Sequence, residues 1–221
     1  MPTCAEKIAY VRGRFLPQIR GYMVADLQNM LAINKIPGGS GACNFPIALY
    51  TLSCMDYLGF LTSAALLKTD GGDTSKRLAA YANSFFGEPH RGAMSTRWEE
   101  TTKIFRHGLS HVFFPKQGGV SRAHGPNILE TQSGVLVLDA DTLAHAFINS
   151  VATLDSQVIG DDTLSEKIFD RLEILENQHS SVVQSLKGTA ATNSTTTSTY
   201  TVTTSSPPQN VTLTPPPTSQ P

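Results

Sequence analysis

Cysteine is scarce in the 221 residues: Cys4, Cys43 and Cys54 are the only three. An odd number without the close spacing of a zinc site reads as reduced thiols, which excludes a disulfide framework. Net charge is nearly absent as well, at -1. Nothing global then draws the chain to nucleic acid or to a membrane surface, and any affinity for anions has to come from a local patch. The first 22 residues lack an uninterrupted apolar stretch, because Glu6, Lys7, Arg12, Arg14 and Arg20 break it up. That composition argues against a signal peptide and for a cytoplasmic protein. Long apolar runs are limited to residues 45–67, where Asp56 is the only charge and Thr51, Ser53, Gly59, Thr62 and Ser63 dilute the rest. A buried helix is expected there and no membrane span. Charge is wholly missing after Gly188, where Thr, Ser and Pro dominate. Such a segment cannot bury enough apolar surface to offset its ordering entropy, so residues 188–221 are expected to be a disordered tail behind a folded domain at 1–187.

What is present is mostly helical periodicity. Ile8, Phe15, Ile19, Met23, Leu27 and Met30 recur at spacings of three, four or seven, predicting a helix from about Ala5 to Asn34 that Pro17 kinks or divides. Pro37-Gly38-Gly39-Ser40-Gly41 marks a turn, and Asn44 is placed to cap the apolar helix that follows. Asp70-Gly71-Gly72-Asp73 separates this helix from one carrying Leu78, Tyr81 and Phe85 and ending at Gly87; residues 88–93 read as loop. Thr96 and Glu99 have the spacing of a capping box for a helix from Arg97 to Phe114, which Pro115 stops. Gly134-Val135-Leu136-Val137-Leu138 is strand-like, with Gly119-Val120-Ser121-Arg122 a weaker partner. Asp139 or Asp141 caps a helix carrying Leu143, Phe147, Val151 and Leu154, and a last helix spans Thr163 to Leu186. The expected fold class is all-α: a bundle of about five or six helices with a small β hairpin after the helix at 97–114.

That helix carries the chemistry. On a helical wheel Trp98, Phe105, Leu109 and Val112 share one face, while Lys103, Arg106, His107, Ser110 and His111 share the other. No acidic residue occurs from Lys103 to Leu129, yet Lys103, Arg106, His107, His111, Lys116, Arg122 and His124 all fall there. The stretch is a local anion-attracting patch; a solvated charged helix face is the plainer alternative. His107 and His111 have the i, i+4 spacing that lets two imidazoles meet one ion. The glutamate of an HExxH pattern is missing and His124 lies across a loop, so neither a metal nor another cofactor is expected. Asp56, a lone carboxylate in an apolar helix, needs a partner. It either orients Arg106 or His111 or makes an ordinary structural hydrogen bond.

Arg106-His107-Gly108-Leu109-Ser110-His111 resembles the motif of HEPN-domain proteins, an arginine and a histidine separated by four residues. Its surroundings are similar too: an N-terminal helical pair, an apolar element reaching Asp56-Tyr57-Leu58-Gly59, and a motif helix running into Phe113-Phe114-Pro115-Lys116. The resemblance spans roughly residues 5–154 in outline. It implies a homodimer that joins motif residues of two subunits and cleaves RNA without metal, the ribose 2′-hydroxyl attacking the adjacent phosphate. His111 would then be the general acid or base, Arg106 would stabilise the charge on phosphorus, and His107 would be an auxiliary donor. Lys103, Lys116 and Arg122 from the basic patch would contact RNA. Such a protein would be a toxin or defence component with an antitoxin-type partner. The same residues also fit a non-catalytic helical interaction or dimerisation module.

Overall fold

A capping box starts the chain's first helix in the computed structural model: Glu6 N–H donates to Thr3 Oγ1, and Thr3 N–H donates to the Glu6 carboxylate at 2.8 Å. The structure describes residues 2–34, 42–94, 96–112 and 115–191. Helix α1 occupies residues 4–31, with π turns at Val11–Phe15 and Ile19–Val24 on either side of Leu16–Gln18. Of the kink or division expected at Pro17, the division does not occur. Proline lacks an N–H for the ladder, and the helix widens instead, with Leu16 N–H donating to Val11 O five residues back.

Helix α2 is Asn44–Thr62. Cys43, in the left-handed region at φ 61°, stands at its N-cap, so Asn44 is not the cap but the first helical residue. Asp70 accepts from Gly72 N–H and opens a short 3-10 turn, Gly71–Asp73, that leads into α3, Thr74–Phe85. Residues 88–93 are not all loop, since α4 is His90–Met94. Helix α5 covers residues 98–112 as Trp98–Thr101, the π turn Thr102–Arg106, and His107–Val112. Its N-cap is Arg97 with no side-chain cap bond; Glu99 pairs with Lys103 at 2.6 Å instead of closing a box with Thr96. Helix α6, Ala140–Gly160, has Asp139 as its N-cap, accepting from Thr142 N–H. Helix α7 is Asp162–Ala191 and so runs through residue 188, where the tail was expected to begin. The chain divides into Met1–Ser181 and Val182–Pro221, and of the second part only helical residues 182–191 are described. The expected turn at Pro37–Gly41, Phe113-Phe114 and the rest of the expected tail lie outside the described residues.

All-α describes the architecture, with one correction to the sheet. Strands β1 (Gly118–Ser121), β2 (Ile128–Glu130) and β3 (Leu136–Asp139) lie in the order β1-β3-β2. The predicted partner, β1, pairs with β3 in parallel, Gly118 opposite Leu136 and Ser121 opposite Asp139. The hairpin is formed by β2, with Ile128 opposite Leu138. Gly134, at φ +77°, supplies the left-handed residue of its turn.

The core joins α1, α2, α3, α5 and α6 through Leu16, Ile19, Leu52, Met55, Leu78, Tyr81, Phe105 and Phe147. Buried arginines satisfy helix ends that would otherwise expose orphan carbonyls. Arg171 donates to Phe60 O at 2.7 Å and Ser63 O at 2.8 Å at the C-terminal end of α2, and Arg122 donates to Leu31 O at 2.8 Å and Ile33 O at 3.2 Å at the C-terminal end of α1.

Candidate functional site

The site begins at a close approach of two backbones. A Cβ on Gly59 of α2 would lie 2.0 Å from Arg77 O of α3, so only glycine permits this contact. It brings Arg77 over Asp56, one helical turn before Gly59. Arg77 Nε donates to Asp56 Oδ1 at 2.6 Å, and its remaining donors reach Thr74 Oγ1 at 3.0 Å, Asp70 O at 3.0 Å and Lys68 O. Asp56 thus has the buried cationic partner its position demanded.

Arg106 approaches the same carboxylate from α5, with Nη2 3.7 Å from Asp56 Oδ2. The π turn Thr102–Arg106 immediately precedes His107, and the wider turn changes where Arg106 points relative to a regular 3.6-residue wheel. Only 25% of the Arg106 side chain is exposed, and its buried Nε has no acceptor among the described residues. The arginine is therefore not simply on an open solvent face. It lines a cleft of about 230 Å³ together with Ser53, Asp56, Tyr57, Phe60, Arg77 and Leu175.

His107 is half-buried, near the Gly71 turn: a Cβ on Gly71 would lie 3.8 Å from His107 Cε1. Burial holds its imidazole below the ordinary range, with the charges of Arg106, His111 and Lys116 acting in the same direction and Asp56 opposing them. His111 is exposed, its ring centroid 5.9 Å from that of His107. The apolar wheel face packs inward as expected, with Trp98, Phe105 and Leu109 buried.

The basic patch is reduced by its neighbours. Lys103 and Lys116 are exposed, the first of them paired with Glu99 at 2.6 Å. Arg122 is a correction: it is buried, with Nε 2.6 Å from Asp141 Oδ1 and its other donors on main-chain carbonyls, so it is a structural residue and not a surface RNA contact. His124 sits near that pair, 3.4 Å from Asp141 Oδ2, on a different cleft from Arg106. Among the described residues no three His, Cys, Asp or Glu side chains are grouped to hold a metal ion, and no helix is long and apolar enough to cross a membrane.

The structure brings Arg106 and Asp56 together and adds Arg77, which the sequence reading missed. The available signal was indirect: a lone carboxylate in an apolar helix, and an arginine one helix later. Comparison with models of known families, with curated proteins and with solved structures returns no match.

Proposed function

We propose that the protein is an HEPN-like endoribonuclease that cleaves RNA by attack of a ribose 2′-hydroxyl at a site composed from two copies of the chain. The observation that carries this reading is the division of labour on α5. Arg106 is held beside Asp56 with its side chain partly exposed, and exposed His111 follows on the same helix. A partly exposed guanidinium suits the charge that builds on phosphorus, and an accessible imidazole suits proton transfer. The 2′-oxygen forms a bond to phosphorus as the bond to the 5′-oxygen breaks. One group takes the 2′ proton and another returns a proton to the leaving 5′-oxygen, giving a 2′,3′-cyclic phosphate and a 5′-hydroxyl. Lys103 and Lys116 would contribute sequence-independent phosphate attraction. A toxin or defence setting with an antitoxin-type partner is part of this proposal.

Incubation of the full chain with RNA in EDTA tests it. Cleavage that yields cyclic-phosphate ends, and that His111→Ala lowers by about 100-fold or more with an unchanged thermal melt, is the expected result. Intact RNA with folded protein leaves the non-catalytic interaction module. That second reading is favoured by one observation, the Asp56–Arg77 ion pair, which already gives Asp56 a structural task.

A further inference from the structure

Helix α7 and the segment that follows α2 line a second cleft, of about 360 Å³, to which Leu66, Lys167, Arg171 and Ile174 contribute. It shares no lining residue with the cleft at Arg106. Arg171 is only 5% exposed, yet its bonds all run from Nη1, to Phe60 O, Ser63 O and Ser63 Oγ. Its Nε and Nη2 have no acceptor among the described residues, and neither nitrogen is sealed from solvent as Arg106 Nε is. Together they form the guanidinium edge that holds an oxyanion through two parallel N–H bonds. An arginine cannot shed its proton to escape burial, so a counter-ion is what relieves the charge.

We infer that this cleft binds a small organic acid, a monocarboxylate with an apolar body. Lys167 stands one helical turn before Arg171 on the same face of α7 and has no ion pair among the described residues. Burial pushes both cations below their ordinary values; the charge of Arg171 adds to the effect on Lys167, and Asp161 opposes it. A carboxylate seated on the Arg171 edge would take its second charge contact from Lys167. Glu166 and Asp170 also line the cleft, and only Asp170 is answered, by Lys7 of α1 at 2.5 Å. A dianion such as a phosphate monoester would therefore meet like charge, so a monoanion is the better match. Leu66, 65% exposed, and half-buried Ile174 give the aliphatic body of such an acid a surface to cover. Nothing in this assignment depends on the RNA reading above.

Calorimetric titration of the full chain with hexanoate, hexanol, acetate and inorganic phosphate tests the site. One hexanoate per chain is expected to bind saturably, with acetate at least about tenfold weaker for want of buried methylene groups and hexanol showing no saturable binding. Lys167→Met, at a half-buried position whose side chain makes no hydrogen bond among the described residues, should lower hexanoate affinity by about tenfold or more with an unchanged thermal melt. Arg171→Lys keeps the charge and loses the two-pronged edge, so it too should bind hexanoate more weakly if folded by circular dichroism. No binding of hexanoate, hexanol binding as tightly as hexanoate, or phosphate binding more tightly than either overturns the inference. These outcomes are read on the unmodified protein and stand even if a variant does not fold. Undiminished hexanoate affinity in Lys167→Met overturns it as well, because the acid would then be bound elsewhere.

Discussion

Asp56 is the residue on which most of the site depends, because it is mostly buried and shared by two guanidinium groups. Removing one partner of a buried pair leaves the other charge uncompensated. Asp56→Ala is expected to cost about 3 kcal/mol, at the low end of such losses, since Arg77 keeps Thr74 Oγ1, Asp70 O and Lys68 O as acceptors. Urea denaturation measures it, and an Asp56→Ala protein as stable as its parent would show that the pair contributes nothing net. His107 gives a pH prediction. Its folded-state affinity for a proton is lowered, so the unfolded chain binds more protons just below the ordinary imidazole range of about 6.5. Stability therefore rises with pH through that window and is lost as pH falls below it. His107→Gln should flatten this part of the melting-temperature profile between about pH 5 and 7, and an unchanged slope counts against the assignment. Cys54 illustrates the opposite extreme, a thiol pushed up to about 12 by burial and so a packing residue.

At the scale of elements, the contact between α2 and α3 sets the site, and Gly59 sets the contact. Gly59→Ala would force a methyl group to within 2.0 Å of Arg77 O, which is main chain and cannot swing aside. The helices must separate, and a loss of about 3 kcal/mol or more, at or beyond the upper end of ordinary overpacking costs, is expected in thermal or urea unfolding. Glycine at this position could be read from the sequence; the neighbour that requires it could not. The long elements were legible because their apolar spacing repeats over several turns, as in Ile8 through Met30 and Leu143 through Leu154. The five-residue helix His90–Met94 and the three-residue strand Ile128–Glu130 were not, being too short for any period to emerge. Strand β1 was found but its direction was missed, since Gly118–Ser121 contains one large apolar residue and no pattern that separates parallel from antiparallel pairing. Asp56 was legible as a carboxylate in need of a partner, whereas the burial of Arg122 was not, because a cation among polar residues carries no mark of the carbonyls waiting for it.

For the whole molecule, the buried arginines change how the charge should be counted. Arg77, Arg122 and, through Nη1, Arg171 spend donors on interior carboxylates, carbonyls and hydroxyls, and the burial of Arg122 makes the basic surface from Lys103 to Arg122 smaller than the sequence suggests. A site with few surface cations depends the more on completion by a second copy. The proposed nuclease should therefore lose specific activity on dilution through its dimer dissociation range, with sedimentation velocity reporting the same midpoint. Activity per chain that stays constant into the monomer regime would remove the composite site.

The π turn Thr102–Arg106 has an evolutionary side. Such a turn is equivalent to a single inserted residue in a regular helix. One residue lost within it would restore uniform winding and change how the residues of the turn, Arg106 among them, are directed relative to those that flank it. A three-nucleotide deletion is therefore a single genetic step that acts on the placement of Arg106 beside Asp56 without a substitution in the core.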